Sequence, residues 1–309
     1  MTPLKRMLSL TCCVAGALVS ASAMAQTYPA EKPELEYLAY WRLNSTLPTD
    51  GNYTNSVDFD PDDLTTYTDS FFRVVTGGGV SMKAQFGGAV TSSGTAFSRT
   101  ELREMASETS QAAWNCTSKQ KEMVARVRIK STPRNKPEMS VAQIHDSEND
   151  NLIVLYRYDK AQNGGVLPAA GTLGDKGKIL IKWNDSTSET LLDSAYVVGD
   201  IIKVVIRANG STGNGYPGAG NMQVSYTNET QNKTASATKA FSGVVGQCYF
   251  KAGNYHQGCT KKFIDGSTNA TCSSKSYPLS SGFTWENAGT ESNTSELILY
   301  NLTVNPKGN

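Results

Sequence analysis

The run Glu122-Met-Val-Ala-Arg-Val-Arg-Ile-Lys130 alternates without a break. Met123, Ala125, Val127 and Ile129 fall on one side of an extended chain, and Glu122, Val124, Arg126, Arg128 and Lys130 on the other. A period of two, with one apolar face and one mostly charged face, describes a strand buried on one side. Similar runs recur at 140–145, 152–158, 178–183, 201–207, 222–227, 247–255 and 297–304. Stretches rich in Gly, Ser, Thr, Asn and Pro, such as 209–220 and 265–281, lie between strands and read as loops. No window keeps a helical period, and there is no internal repeat. The chain is therefore expected to be all-β, a jelly-roll sandwich of two antiparallel sheets whose concave face is a groove for a long polymer.

Residues 1–25 carry the parts of a secretory leader. Lys5 and Arg6 form the charged start, 8–19 the apolar run, and Ala23-Met24-Ala25 a small-x-small site before Gln26. The expectation is a secreted or periplasmic protein whose mature part, 26–309, is one domain and a monomer. No later segment approaches the roughly 18 apolar residues of a membrane span. The 29 Lys and Arg residues against 28 Asp and Glu give no net charge that would draw nucleic acid. Four cysteines follow the leader: Cys116, Cys248, Cys259 and Cys272. Three pairings are open. The favoured one joins Cys259 to Cys272, closing a short loop worth roughly 3 kcal/mol of chain entropy, and leaves Cys116 for Cys248. Their spacing fits no zinc finger or ribbon, and no metal or organic cofactor is expected.

Three segments carry chemistry. In Ser98-Arg-Thr-Glu-Leu-Arg-Glu104, strand alternation puts Arg99, Glu101 and Arg103 on one face and Thr100, Leu102 and Glu104 on the other. Two guanidiniums around a carboxylate suit an anionic ligand, although a solvated ladder of charges has the same pattern. In Gln143-Ile-His145 the amide and the imidazole share a face and Ile144 turns toward the core. In Tyr249-Phe-Lys-Ala-Gly-Asn-Tyr-His-Gln257, Tyr249, Lys251, Gly253 and Tyr255 face one way, and Phe250 and Ala252 the other. Gly253 there is expected to leave room for a ligand against the backbone, the alternative being a bulge. His256, one of only two histidines, is turned away from Tyr255 and is not given a catalytic role.

Arg, Gln, His, Lys and Tyr together suit β-elimination from a uronic acid. The C5 proton is weakly acidic until the adjacent carboxylate is neutralised. Arg and Gln can do that, His or Tyr can take the proton, and Tyr can protonate the leaving oxygen. A glycoside hydrolase would instead need two carboxylates across one groove, and an odd spacing sends Glu101 and Glu104 to opposite faces.

These three segments, in this order, resemble the signature regions of alginate lyases of polysaccharide lyase family 7. Trp41-Arg-Leu-Asn-Ser-Thr-Leu-Pro48 also resembles the family's N-terminal Trp-x-Leu...Leu-Pro region, with extra residues before the Leu-Pro. The resemblance runs from about residue 35 to the end. It implies a β-jelly roll whose concave face binds alginate, and endolytic cleavage is expected. It further implies that Gln143 and an arginine, Arg99 with Arg103 as second choice, neutralise the carboxylate. His145 would be base or stabiliser and Tyr255 the acid, or the base as well for one epimer. Lys251, Glu101 and Arg103 would bind and orient. Within the family, Ile between Gln and His goes with guluronate-containing blocks, so Ile144 leans that way. Two alternatives share the fold, a non-catalytic alginate-binding module and a lyase for another polyuronate.

Overall fold

The computed structural model describes residues 40–64, 66–92, 94–95, 97–133, 137–165, 173–259 and 294–306. The expected leader and Cys272 lie outside them, so the Cys259–Cys272 pairing does too.

Among the described residues the strands are β1 (Trp41–Thr49), β2 (Asn52–Phe59), β3 (Phe72–Val74), β4 (Val80–Gln85), β5 (Phe97–Glu104), β6 (Lys121–Ser131), β7 (Glu138–His145) and β8 (Asp150–Tyr158). They continue as β9 (Lys176–Trp183), β10 (Glu189–Val197), β11 (Ile201–Ala208), β12 (Asn221–Asn228), β13 (Lys233–Ala240), β14 (Tyr249–Cys259) and β15 (Thr294–Asn305). One sheet runs β10-β9-β8-β7-β14-β5-β1-β2, the other β13-β12-β11-β6-β15-β4-β3, and neighbours pair antiparallel. The jelly-roll expectation holds.

The core lies between the sheets and is filled by the faces that alternation marked as apolar. Met123, Ala125, Val127 and Ile129 of β6 are buried, as are Leu102, Ile144, Phe250 and Ala252 from the opposite sheet. Full burial of each large apolar side chain contributes about 1.5–3 kcal/mol, which holds every strand to one facing. β1 and β2 were not expected as strands, and the Asp50-Gly51 turn between them was not singled out either. Asp50 and Gly51 both take positive φ, 48° and 76°, in a two-residue hairpin loop.

Two features pin the strands that matter below. Cys116 and Cys248 form a disulfide just before β14, beside paired backbone hydrogen bonds between Trp114 and Cys248. Behind β5, Glu104 and Lys121 make a fully buried ion pair at 2.7 Å. The Glu104 carboxylate also accepts from Trp114 Nε1 (2.8 Å) and from the backbone N–H of Phe250 (3.0 Å), tying β5 to β14.

Candidate active site

Sheet order brings the three sequence segments side by side, with β14 between β5 and β7. Lys251 stands opposite Arg103 on one side and Gln143 on the other; Tyr255 stands opposite Arg99, and Tyr249 opposite His145. Equal side-chain facing on paired strands then puts all of them on the concave surface.

Glu101 is the centre of the arrangement. Its carboxylate lies 2.8 Å from Lys251 Nζ and 3.2 Å from Arg99 Nη1, and accepts from the Gln143 amide nitrogen. Burial alone would push the Glu101 carboxyl up, but Lys251 and Arg99 override it and hold it below the usual carboxylate range. The same crowding pushes Lys251 down to about 8, through burial first and Arg99 second, against the pull of Glu101.

The aromatic residues form the next layer. The Arg99 guanidinium lies 3.8 Å from the Tyr255 ring centre, and that of Arg103 lies 3.9 Å from Tyr249. Burial pushes the Tyr255 phenol up to about 12, with Arg99 opposing, so it holds its proton at neutral pH and is suited to give it away. His145 is stacked on Tyr249. Its Nδ1 meets the Asp146 carbonyl and the Tyr249 hydroxyl, and its Nε2 is 3.3 Å from Asp150 Oδ1. Burial lowers the His145 pKa and Lys251 adds to this, while Asp150 opposes them.

Arg99, His145, Lys251, Tyr255, Tyr249 and Asp150 line a cavity of about 560 Å³, together with Thr91, Ser92, Gly94, Thr95, Ser147 and Glu148. A second cavity, of about 190 Å³, is lined by Ser140, Ile153, Leu155, Lys182 and Gln257 and shares Asp150 and Tyr255 with the first. Tyr255 thus stands where the two meet.

The expected site residues do not all sit at the same depth. Arg99, His145, Lys251 and Tyr255 reach the cavity wall. Gln143 and Glu101, both 0% exposed, lie behind it. Arg103 is turned aside, donating to the carbonyls of Glu104 and Ala112 at 2.8 and 3.4 Å. Arg99 therefore separates from Arg103, and its Nε has no protein partner.

Gly253 corrects the expectation of room for a ligand. It sits at φ +140°, where β14 gains a residue against β7, and an added Cβ would lie 2.7 Å from Met82 Cε and 2.8 Å from the Thr100 carbonyl. The missing side chain makes room for the core and the neighbouring strand, so the bulge alternative is the right one. His256 is buried beneath the sheet with Nδ1 2.7 Å from Ser295 Oγ, and burial pushes it down to about 3. It is turned away from Tyr255, as expected, and is not among the residues that line the cavity.

Sequence reasoning gave Asp150 no part. It sits in Asp-Ser-Glu-Asn-Asp-Asn, residues 146–151, whose composition says only "turn". Tyr249 was placed on the right face without a task. Among the described residues no group of three or more His, Cys, Asp or Glu could hold a metal ion, and no helix is long and apolar enough to cross a membrane.

Residues 38–305 match a family model described as alginate lyase. Solved structures share the fold. The alginate lyase from Klebsiella pneumoniae is 18% identical with a TM-score of 0.63, over 90% of this chain and 98% of that one. The enzyme from Corynebacterium sp. is 23% identical with a TM-score of 0.59, over 90% and 97%. A substituted form of the family 7 lyase A1-II', in complex with substrate GGMG, is 18% identical with a TM-score of 0.54, over 86% and 92%. No curated protein matches the chain in sequence.

Proposed function

The chain belongs to the alginate lyases of polysaccharide lyase family 7, and we propose on that premise that it cleaves alginate endolytically by β-elimination at guluronate-containing blocks. The observation that carries this reading is the meeting of Arg99, Lys251, His145 and Tyr255 on one cavity wall. The first two supply positive charge for a uronate carboxylate. Arg99 is the arginine assigned to neutralise it, because it lines the cavity whereas Arg103 is turned onto backbone carbonyls. Gln143 and Glu101 support it from behind, Lys251 binds the sugar chain at the wall, and Arg103 orients Tyr249. Lowering the charge on that carboxylate makes the C5 proton removable.

The Asp146 carbonyl favours the imidazole tautomer with its proton on Nδ1, which makes Nε2 the basic nitrogen. His145 Nε2 takes the C5 proton, the C5–H electron pair becomes the C4=C5 double bond, and the C4–O bond breaks. The leaving oxygen takes the Tyr255 phenolic proton, and both residues re-equilibrate with solvent. Base and acid are thus different residues. That suits guluronate, in which the C5 hydrogen and the C4 oxygen lie on opposite faces of the ring; mannuronate, its C5 epimer, has them on the same face. The buried Ile144 between Gln143 and His145 supports the same preference. The reading extends to a single catalytic domain over 26–309, exported by its leader to the periplasm or medium and acting as a monomer.

The test is incubation with polyguluronate, polymannuronate and mixed blocks, following the ultraviolet absorbance of the unsaturated product and sizing the products. A spread of intermediate oligomers early in the reaction, fastest on guluronate-containing blocks, is expected. No rise on any block overturns the reading, and release of only the smallest products overturns endolytic action.

A further inference from the structure

We propose that Asp150 is a positioning residue for His145 and the first acceptor of the proton that His145 removes from the sugar. This rests on His145 acting as the base, as proposed above.

His145 ends β7 and Asp150 begins β8, and the two face each other across the hairpin with a register shift just before them. The turn that sets this distance is built on the other acid, Asp146. Its Oδ1 accepts from the backbone N–H groups of Glu148 (2.9 Å) and Asn149 (2.7 Å), and its Oδ2 from that of Val245 (2.7 Å). Asp146 is thus fully used in holding the turn. Asp150 is left to face the imidazole, 3.3 Å from Nε2, with its side chain 29% exposed and lining both cavities.

That placement answers a difficulty in the site. A buried imidazole near Lys251 and Arg99 is a poor place to put another positive charge. A carboxylate beside Nε2 offsets those cations at the atom that becomes protonated. It also gives the proton a way out, from C5 to Nε2, from Nε2 to Asp150 Oδ1, and from there to solvent. No charge is left behind at the end of a cycle, and no co-reactant is needed. The other charged or titratable groups around the pair are Arg99 and Glu101 from β5, Glu138 from β7, Tyr249, Lys251 and Tyr255 from β14, Lys182 from β9 with Asp185 just after it, and Glu148 in the turn. Among these, Asp150 is the carboxylate in contact with the ring.

The chain has two histidines, and His256 is pushed by burial far below neutrality, so a nitrogen-15 titration of the imidazoles reads His145 directly. In the full chain carrying Asp150→Asn, the His145 midpoint should fall by about one pH unit or more. The acid limb of kcat/KM should move down with it. Turnover should fall roughly 100-fold while KM for alginate changes less than about twofold, and Asp150→Glu should restore part of the rate. An unmoved His145 midpoint in Asp150→Asn overturns the proposal, as does a loss carried by KM with an unmoved pH profile. If the unsubstituted protein leaves alginate intact, the lyase reading fails instead, and the titration, which needs no turnover, still decides whether Asp150 and His145 are coupled.

Discussion

Replacing Glu101 by Gln removes the one negative charge at the centre of the site and leaves its shape nearly unchanged. In the folded protein that charge faces Lys251 at 2.8 Å and Arg99 at 3.2 Å, and both cations are only 5% exposed. Breaking a buried pair by removing one partner costs about 3–5 kcal/mol, because an uncompensated charge stays out of water. Here Arg99 is left charged without its partner, while Lys251, already lowered to about 8 beside Glu101, can shed its proton, so the lower part of that range applies at pH 7. For a chain of this size this lowers Tm by on the order of 10 °C. The dependence on pH gives a sharper check. Burial would raise the Glu101 carboxyl, but Lys251 and Arg99 outweigh it, so its folded pKa lies below the unfolded one. Such a group adds stability that is present above the unfolded pKa and is lost as pH falls through the folded value. The gap between the unsubstituted protein and Glu101→Gln should therefore be full at pH 7 and shrink in acid, below the ordinary carboxylate range. Urea unfolding followed by fluorescence at pH 7 and at pH 3 measures both. A difference under about 1 kcal/mol at pH 7, or one that does not shrink in acid, would refute the account of Glu101 as a buried counter-charge.

Three further outcomes follow from the geometry. Tyr255→Phe keeps the ring against Arg99 and Phe97 but loses the acidic hydroxyl; kcat should fall by roughly 10²–10⁴-fold with unfolding unchanged, and a fully active variant would remove Tyr255 from the mechanism. Because Lys251 is pushed down to about 8, KM for alginate should rise as pH passes that value, and Lys251→Arg should move the rise to higher pH. Gly253→Ala adds a Cβ within 2.8 Å of core and backbone at φ +140°, and should cost about 1–3 kcal/mol in a denaturant midpoint.

The strands that read clearly from the sequence, such as β6, β11 and β12, have one apolar face that must be buried, and burial enforces the alternation. The strands that did not read are explained by where they lie. β13, Lys-Thr-Ala-Ser-Ala-Thr-Lys-Ala, is a sheet edge with no buried face, and β2 is a mostly polar edge. β4 does alternate, Val80, Met82 and Ala84 against Ser81, Lys83 and Gln85, but over six residues only, and it is not among the expected strands. In the site, facings were legible for Arg99, Glu101, Gln143, His145, Lys251 and Tyr255, because the period of two is a local property of an extended chain. Gly253 was misread because a bulge depends on the partner strand, and no single strand records how its neighbour is registered.

The sequence by itself determined the sandwich, the concave set of side chains and their resemblance to a lyase, since each depends on residue type and on neighbours a few positions away. The tertiary structure alone decided that β14 lies between β5 and β7 and that Glu101 and Gln143 sit behind the wall that Arg99 and Lys251 reach. It also decided that Asp150 faces His145. Depth and adjacency come from packing strands far apart in the chain, and so the charges that set each pKa in the site are those of residues brought together by folding.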